Sequence, residues 1–123
     1  MVYISAPGIS RFLVEVVSSP EDMKQGLSDR KSLLPRQGML FVFPSLQKQS
    51  MWMPRMHFPL DIVWIDDDKT IVKIEINATP CDSIHNCKSY SSVYPSLYAI
   101  ELNAFDANRI GLRVGLRLSF NVA

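Results

Sequence analysis

The sequence predicts a mainly β domain of the α+β class: a compact antiparallel β-barrel or sandwich-like domain with two short helices. Three observations carry that prediction. Apolar or alternating runs of strand length recur at residues 11–17, 39–43, 60–65, 70–76, 97–102 and 117–122. Most of these runs are neighbours in sequence, separated by clusters of Pro, Gly, Asp, Asn and Ser. Helix-start signals occur near Ser19 and Asn103, and each is followed by only a few residues before a glycine.

In chain order, RFLVEVV at residues 11–17 is β-rich and alternates near its start. Ser19, Pro20, Glu21 and Asp22 then supply a cap, a proline for the first helical position and acids for the first turn. That helix is expected to run through Met23, Lys24 and Gln25 and to stop near Gly26. Residues 29–37 read as a polar connection anchored by Leu33 and Leu34. MLFVF at residues 39–43, entered from Gly38 and closed by Pro44, has the composition of a fully buried strand.

After a polar turn at residues 45–50, one strand is expected at 50–53 and another at 60–65, and Pro54 and Pro59 keep their link extended. Asp66, Asp67, Asp68 and Lys69 form a hairpin turn before the alternating strand TIVKIEI at 70–76. The three aspartates lack the glycine and distal glutamate of a calcium loop, so they read as a solvated turn. LYAIEL at 97–102 is a strand, Asn103 is expected to cap a helix through Asn108, and Gly111 and Gly115 frame a turn before a last strand at 117–122. At 123 residues the chain is one domain, 1–123, with residues 1–10 read as an N-terminal extension.

Composition narrows the function classes. Thirteen basic residues against twelve acidic ones give a net charge of +1 and no basic stripe, which disfavours a nucleic-acid partner. No apolar run is long enough to span a bilayer, and residues 1–8 have neither the basic nor the long apolar region of a signal peptide.

Cys81 and Cys87 are separated too widely for a CxxC half-site. Adding His57 and His85 gives the count for a Cys2His2 site but none of its spacings, so no metal is assigned. A disulfide is the favoured reading, with Asp82, Ser83 and Asn86 as turn formers; two reduced thiols are the alternative. A disulfide would place the protein in an oxidising compartment, exported or periplasmic, and reduced thiols in the cytoplasm.

Two features draw attention as a site. Asp61 sits between Leu60 and Ile62 in an apolar strand, where a carboxylate needs a partner: Arg30, Arg55, His57 or a run of backbone amides. Trp52, bracketed by Met51 and Met53, reads either as an adaptable apolar platform or as closing one end of the barrel, whereas Trp64 belongs to a core strand. Arg55, His57, Tyr90 and Tyr94 are its expected neighbours. By alternation Glu101 is expected to point outward and Leu102 inward.

Nucleophilic and phosphate chemistry find no motif. There is no GxSxG elbow, the five glycines stand singly, and nothing in the spacing recommends Asp61 and Glu101 as paired catalytic acids. A Cys81 or Cys87 pairing with His57 is conceivable only if the fold assembles it. The candidate ligand-binding set is therefore Trp52, Met53, Arg55, His57, Asp61 and Tyr90, with no cofactor. The leading reading is a non-enzymatic binding or accessory domain using the Trp52 to Asp61 segment and the cysteine loop as one face, with a ligand or protein partner undefined. Two alternatives stand: a hydrolase-like enzyme with Asp61 as base and His57 or Arg55 as its partner, and single-stranded nucleic-acid binding by an aromatic face. Burial of Asp61 under backbone donors would exclude the first.

Several segments in order carry a family pattern: GLSDR at residues 26–30, GMLFVF at 38–43, WM followed by PLDIVWID within 52–66, PC…C…SY at 80–90, ELNA at 101–104 and IGLRVG at 110–115. Residues 14–120 thereby resemble the small prokaryotic family catalogued as domain of unknown function 192. The resemblance implies a fold more than a function. It also marks departures: Pro54, Arg55 and Met56 stand where the family has a basic residue, asparagine and threonine, Phe105 replaces a glycine, and Leu116 replaces an acid. The resemblance thus implies a divergent member with altered ligand contacts.

Overall fold

A computed structural model of the chain describes residues 1–81 and 84–122. One sheet, covered on both faces by hydrophobic clusters, organises the architecture. Six strands lie in the order β1-β2-β3-β8-β5-β6, and β4 and β7 form a separate two-stranded sheet. In the chain these are β1 (Val2–Ile4), β2 (Phe12–Val17), β3 (Gln37–Gln47), β4 (Ser50–Trp52), β5 (Leu60–Ile65), β6 (Ile71–Ala78), β7 (Ser89–Ser91) and β8 (Ser96–Asn103). Two short helices, α1 (Pro20–Gln25) and α2 (Asp106–Ile110), and a 3₁₀ turn at Ile84–Asn86 complete the fold.

The mainly β class with two short helices is what forms, as a sandwich-like arrangement and not a closed barrel. The edge strands β1 and β6 do not pair with each other. Residues 117–122, expected as a strand, instead cross the open side, meeting Ser5 through Ser119 and Thr70 through Arg117 as isolated bridges. Their alternation is real, because Leu116, Leu118 and Phe120 are buried, but the segment pairs along no strand.

The sheet is mixed. β2 and β3 run parallel, with Leu13 opposite Gln37 and Val17 opposite Phe41, while the other pairings are antiparallel. The purely antiparallel expectation failed here because α1 and the connection after it form a crossover, which returns the chain in the same direction. Residues 1–10 also require correction. Val2–Ile4 is an edge strand on β2, and Ile4 is fully buried, so this segment is part of the sheet and not an extension.

Local signals were otherwise read closely by the fold. The Ser19 hydroxyl accepts from the Asp22 amide at 3.1 Å, Pro20 opens α1, and Gly26 ends it at φ 50° with its amide on the Asp22 carbonyl. Asp66 makes the hairpin turn by accepting from the Asp68 and Thr70 amides, each at 2.9 Å. Asn103 does not cap α2. Its side chain donates to the Leu33 carbonyl at 2.7 Å, and the helix is entered through Phe105 at φ 71°, the position where the family pattern has glycine.

Side chains on β3, β5 and β8 alternate between two cores. Leu40, Val63, Ile65, Ile100 and Leu102 join the larger cluster with α2 and the C-terminal segment. Met39, Phe41, Leu60, Ile62, Trp64 and Ala99 join a second cluster with Leu27, Met53 and Tyr90. Trp64 is fully buried, as its strand context implied, and stacks on Phe43 with ring centroids 6.4 Å apart. Among the described residues no helix is long and apolar enough to cross a membrane.

Close strand packing sets one sharp requirement. A Cβ at Gly38 would run into the Glu101 carbonyl oxygen and lie 2.8 Å from Leu102 Cδ2, so two paired strands would have to separate. Gly38→Ala is expected to lower stability by about 2–3 kcal/mol, read as a reduced urea midpoint with an unchanged slope.

Candidate functional site

The second cluster is incompletely closed, and the gap is a pocket of about 270 Å³. One wall comes from Met23, Gly26 and Ser28 at the end of α1, another from Phe41 and Phe43 of β3. The opposite side is the arm built from β4 and the residues after it, which presents Met51, Trp52, Arg55 and Met56. Glu101 of β8 also lines the pocket and, as 5% exposed, forms its floor.

Each wall has a local cause. Gly26 allows the close approach: a Cβ there would lie 3.3 Å from Phe41 Cζ and 3.6 Å from Glu101 Oε1, in a backbone conformation that side chains disfavour. The arm is held by three ties. Ser50, Met51 and Trp52 pair with Ser91, Tyr90 and Ser89 of β7. The Cys81 amide donates to the Met53 carbonyl at 3.3 Å. The Asp29 amide donates to the Arg55 carbonyl at 2.9 Å, and the Arg55 guanidinium lies 3.4 Å from the Asp29 carboxylate. Cys81 and Cys87 stand at disulfide distance with Cα atoms 5.0 Å apart, closing the loop that feeds β7. Two of its expected turn formers, Asp82 and Ser83, fall outside the described residues, while Asn86 lies in the 3₁₀ turn.

Glu101 is the residue that alternation misplaced. It does oppose Leu102 across the sheet, but the other face is also covered, so pointing away from the first core means entering the second. It stands between Met39 of β3 and Ile62 of β5, and no side chain or amide among the described residues hydrogen-bonds its carboxyl. Burial raises its pKa from the ordinary 4.5 to about 7. The signal that could have found it was present in LYAIEL, a carboxylate between Ile100 and Leu102, the same pattern that singled out Asp61.

Asp61 has a different position and a different task. It is fully buried, and its carboxylate accepts from the Asn77 and Phe105 amides at 3.0 Å and from the Ala107 amide at 2.9 Å. Both oxygens are occupied by main chain, which corrects the reading of Asp61 as a general base and removes it from the Trp52 face. His57 is exposed and does not line the pocket, so no Asp61–His57 pair is assembled.

The remaining candidates divide. Trp52, 51% exposed, and Arg55 border the pocket, whereas Met53 and Tyr90 are buried behind it and support the arm. Tyr94 lies elsewhere, beside Leu46, Asp66 and Asp67. Cys81 and Cys87 stand at disulfide distance from each other. Among the described residues no three His, Cys, Asp or Glu side chains gather as a metal site.

Residues 2–120 match the model of the family described as "Uncharacterized ACR", domain of unknown function 192. The chain belongs to this family. Two solved structures are similar to it. One, from Sinorhizobium meliloti and described as a candidate transcription regulator, is 35% identical, with 97% of this chain and 91% of that chain covered and a TM-score of 0.84. The other, a protein of unknown function from Novosphingobium aromaticivorans, is 26% identical, with coverage of 96% and 82% and a TM-score of 0.85. No curated protein matches the chain significantly.

For this family member the pocket joins framework and departure. Gly26, Phe41, Trp52 and Glu101 come from the segments that carry the family pattern, while Pro54, Arg55 and Met56 are the three positions where this chain leaves it. All seven line one cavity.

The two buried carboxylates call for opposite mutational outcomes. Asp61→Asn exposes three amides to a neutral side chain carrying its own donors, and is expected to cost about 3 kcal/mol in denaturant unfolding. Glu101→Gln should do the reverse. Between about pH 4.5 and 7 the folded protein keeps the Glu101 proton that the unfolded chain has released, so wild-type stability falls as pH rises through this window. The variant should match the wild type near the acid end and exceed it above neutrality, by on the order of 3 kcal/mol, when unfolding is compared across pH.

Proposed function

We propose that this protein is a non-enzymatic binding domain that takes a small, partly apolar ligand into the pocket between α1, β3 and the Trp52 arm. The observation that carries this reading is the carboxyl of Glu101, without a hydrogen-bond partner among the described residues, at the floor of a cavity that Phe41, Phe43, Met51 and Trp52 also line. A buried polar group without a partner is costly, and a ligand that supplies the partner recovers that cost. At about 270 Å³ the cavity is just below the usual range for drug-sized ligands, which suits a small molecule or one inserted side chain.

Nucleic acid is less well supported. Arg30, Arg55, Arg109 and Arg117 each face a carboxylate, from Glu15, Asp29, Asp106 and Asp68 respectively, so these cations do not form an unneutralised stripe. One observation favours a second reading, general acid–base chemistry: Glu101 titrates near neutrality inside a cleft. Turnover that disappears in Glu101→Gln while binding persists would identify it.

Binding is tested by protein-detected NMR with mixtures of small polar-headed fragments. Responses should concentrate at the Trp52 indole, Gly26 and Glu101. Trp52→Ala, at a half-exposed rim position, should weaken the best fragment by about tenfold while changing stability by no more than about 0.5 kcal/mol. Responses confined to His57 or to the surface around Tyr94 would refute the assignment.

A further inference from the structure

We infer that the pocket selects ligands carrying an alkylammonium group, with the cation seated between the Glu101 carboxylate and the rings of Phe41, Phe43 and Trp52; this inference rests on the binding reading above. Phe41 Cζ and Glu101 Oε1 converge on one point, lying 3.3 and 3.6 Å from the position a Gly26 Cβ would take. Phe43 and Trp52 line the same cavity, and Met23, Met51 and Met56 add polarizable apolar surface. Aromatic faces attract a cation most strongly where water is excluded, and a carboxylate supplies the compensating charge. A neutral apolar ligand would leave Glu101 unpaired, and an anionic one would place like charges together at the buried end.

The charged groups facing Glu101 fit this polarity. Across the sheet it meets only Met39 of β3 and Ile62 of β5. The two cations that line the pocket, Lys24 of α1 and Arg55 of the arm, are both exposed, and Arg55 is paired with Asp29. Charge at the mouth is screened by solvent, while charge at the floor is not. A ligand therefore enters with its ammonium first, and its outer end is neutral or anionic, facing Lys24.

Such a group occurs on free amines and on lysine side chains, and the test separates these sources. Choline and n-pentylammonium are titrated against their neutral counterparts, 3,3-dimethylbutan-1-ol and n-pentanol, with a lysine-containing peptide as a further arm. The ammonium probes should bind at least about tenfold more tightly than the alcohols. Glu101→Gln should abolish that preference. In the wild type, ammonium affinity should rise with pH until Glu101 is ionised, near pH 7, and saturating ammonium should move the Glu101 carboxyl titration to lower pH. The wild-type titration reads the same coupling without relying on the variant. Alcohols binding this pocket as tightly as the ammonium probes would overturn the selectivity and leave the binding reading standing. Absence of any pocket response from every probe and from the fragment mixtures would overturn both. Tight binding of the peptide but not of the free amines would assign the site to a protein's lysine side chain, and the converse to a small amine.

Discussion

A buried carboxylate held by main-chain amides is the constraint on which the rest of this fold depends. Asp61 lies on β5, an interior strand, and gathers Asn77 from the irregular end of β6, and Phe105 and Ala107 from the entry to α2. α2 has no side-chain cap of its own, so Asp61 supplies from β5 the negative charge that its first turn requires. The arrangement also needs Phe105 in the left-handed region, at a strain of about 1 kcal/mol or more. Two hydrogen bonds to the charged carboxylate from that entry offset the strain. Because Asp61 is in register with Leu102, this junction also fixes the end of β8, and with it the neighbouring Glu101.

The two carboxylates show how one chemical group serves two ends. Both lie on interior strands and both are almost wholly buried. Asp61 faces the amides of a strand irregularity and a helix start, so its charge is solvated by the protein. Glu101 faces hydrophobic side chains and a cavity, so its charge is not, and burial drives it toward the protonated form. What separates them is the supply of donors, and that supply is decided by elements far away in the sequence. The cavity exists because the second face of the sheet is covered by small pieces, α1, the β4–β7 pair and the residues that follow β4, which meet without filling the space above Glu101. Pairing of the cysteines at disulfide distance is compatible with an oxidising compartment.

Much of the framework was legible locally. Ser19 and Pro20 announced α1, Asp66 announced its turn, and LDIVWI announced a core strand that holds Trp64. Those features depend on interactions within a few residues or on uninterrupted apolar character. Errors arose where a distant partner took over. Asn103 looked like a cap but is drawn to the Leu33 carbonyl, and the first residues looked like an extension because three-residue edge strands leave almost no pattern.

The candidate site shows the same division more sharply. Sequence alone left Trp52 as either a surface platform or a barrel closure beside a core strand, and determined that a carboxylate at Asp61 must have partners, since an unpaired charge in such a strand is too costly. Only the tertiary structure decided which acid is structural and which is available. Alternation assigns Glu101 and Leu102 to opposite faces, but it cannot say whether the opposite face meets water or a second core. That depends on where α1 and the Trp52 arm pack, and those placements are set by long-range contacts that no local pattern encodes.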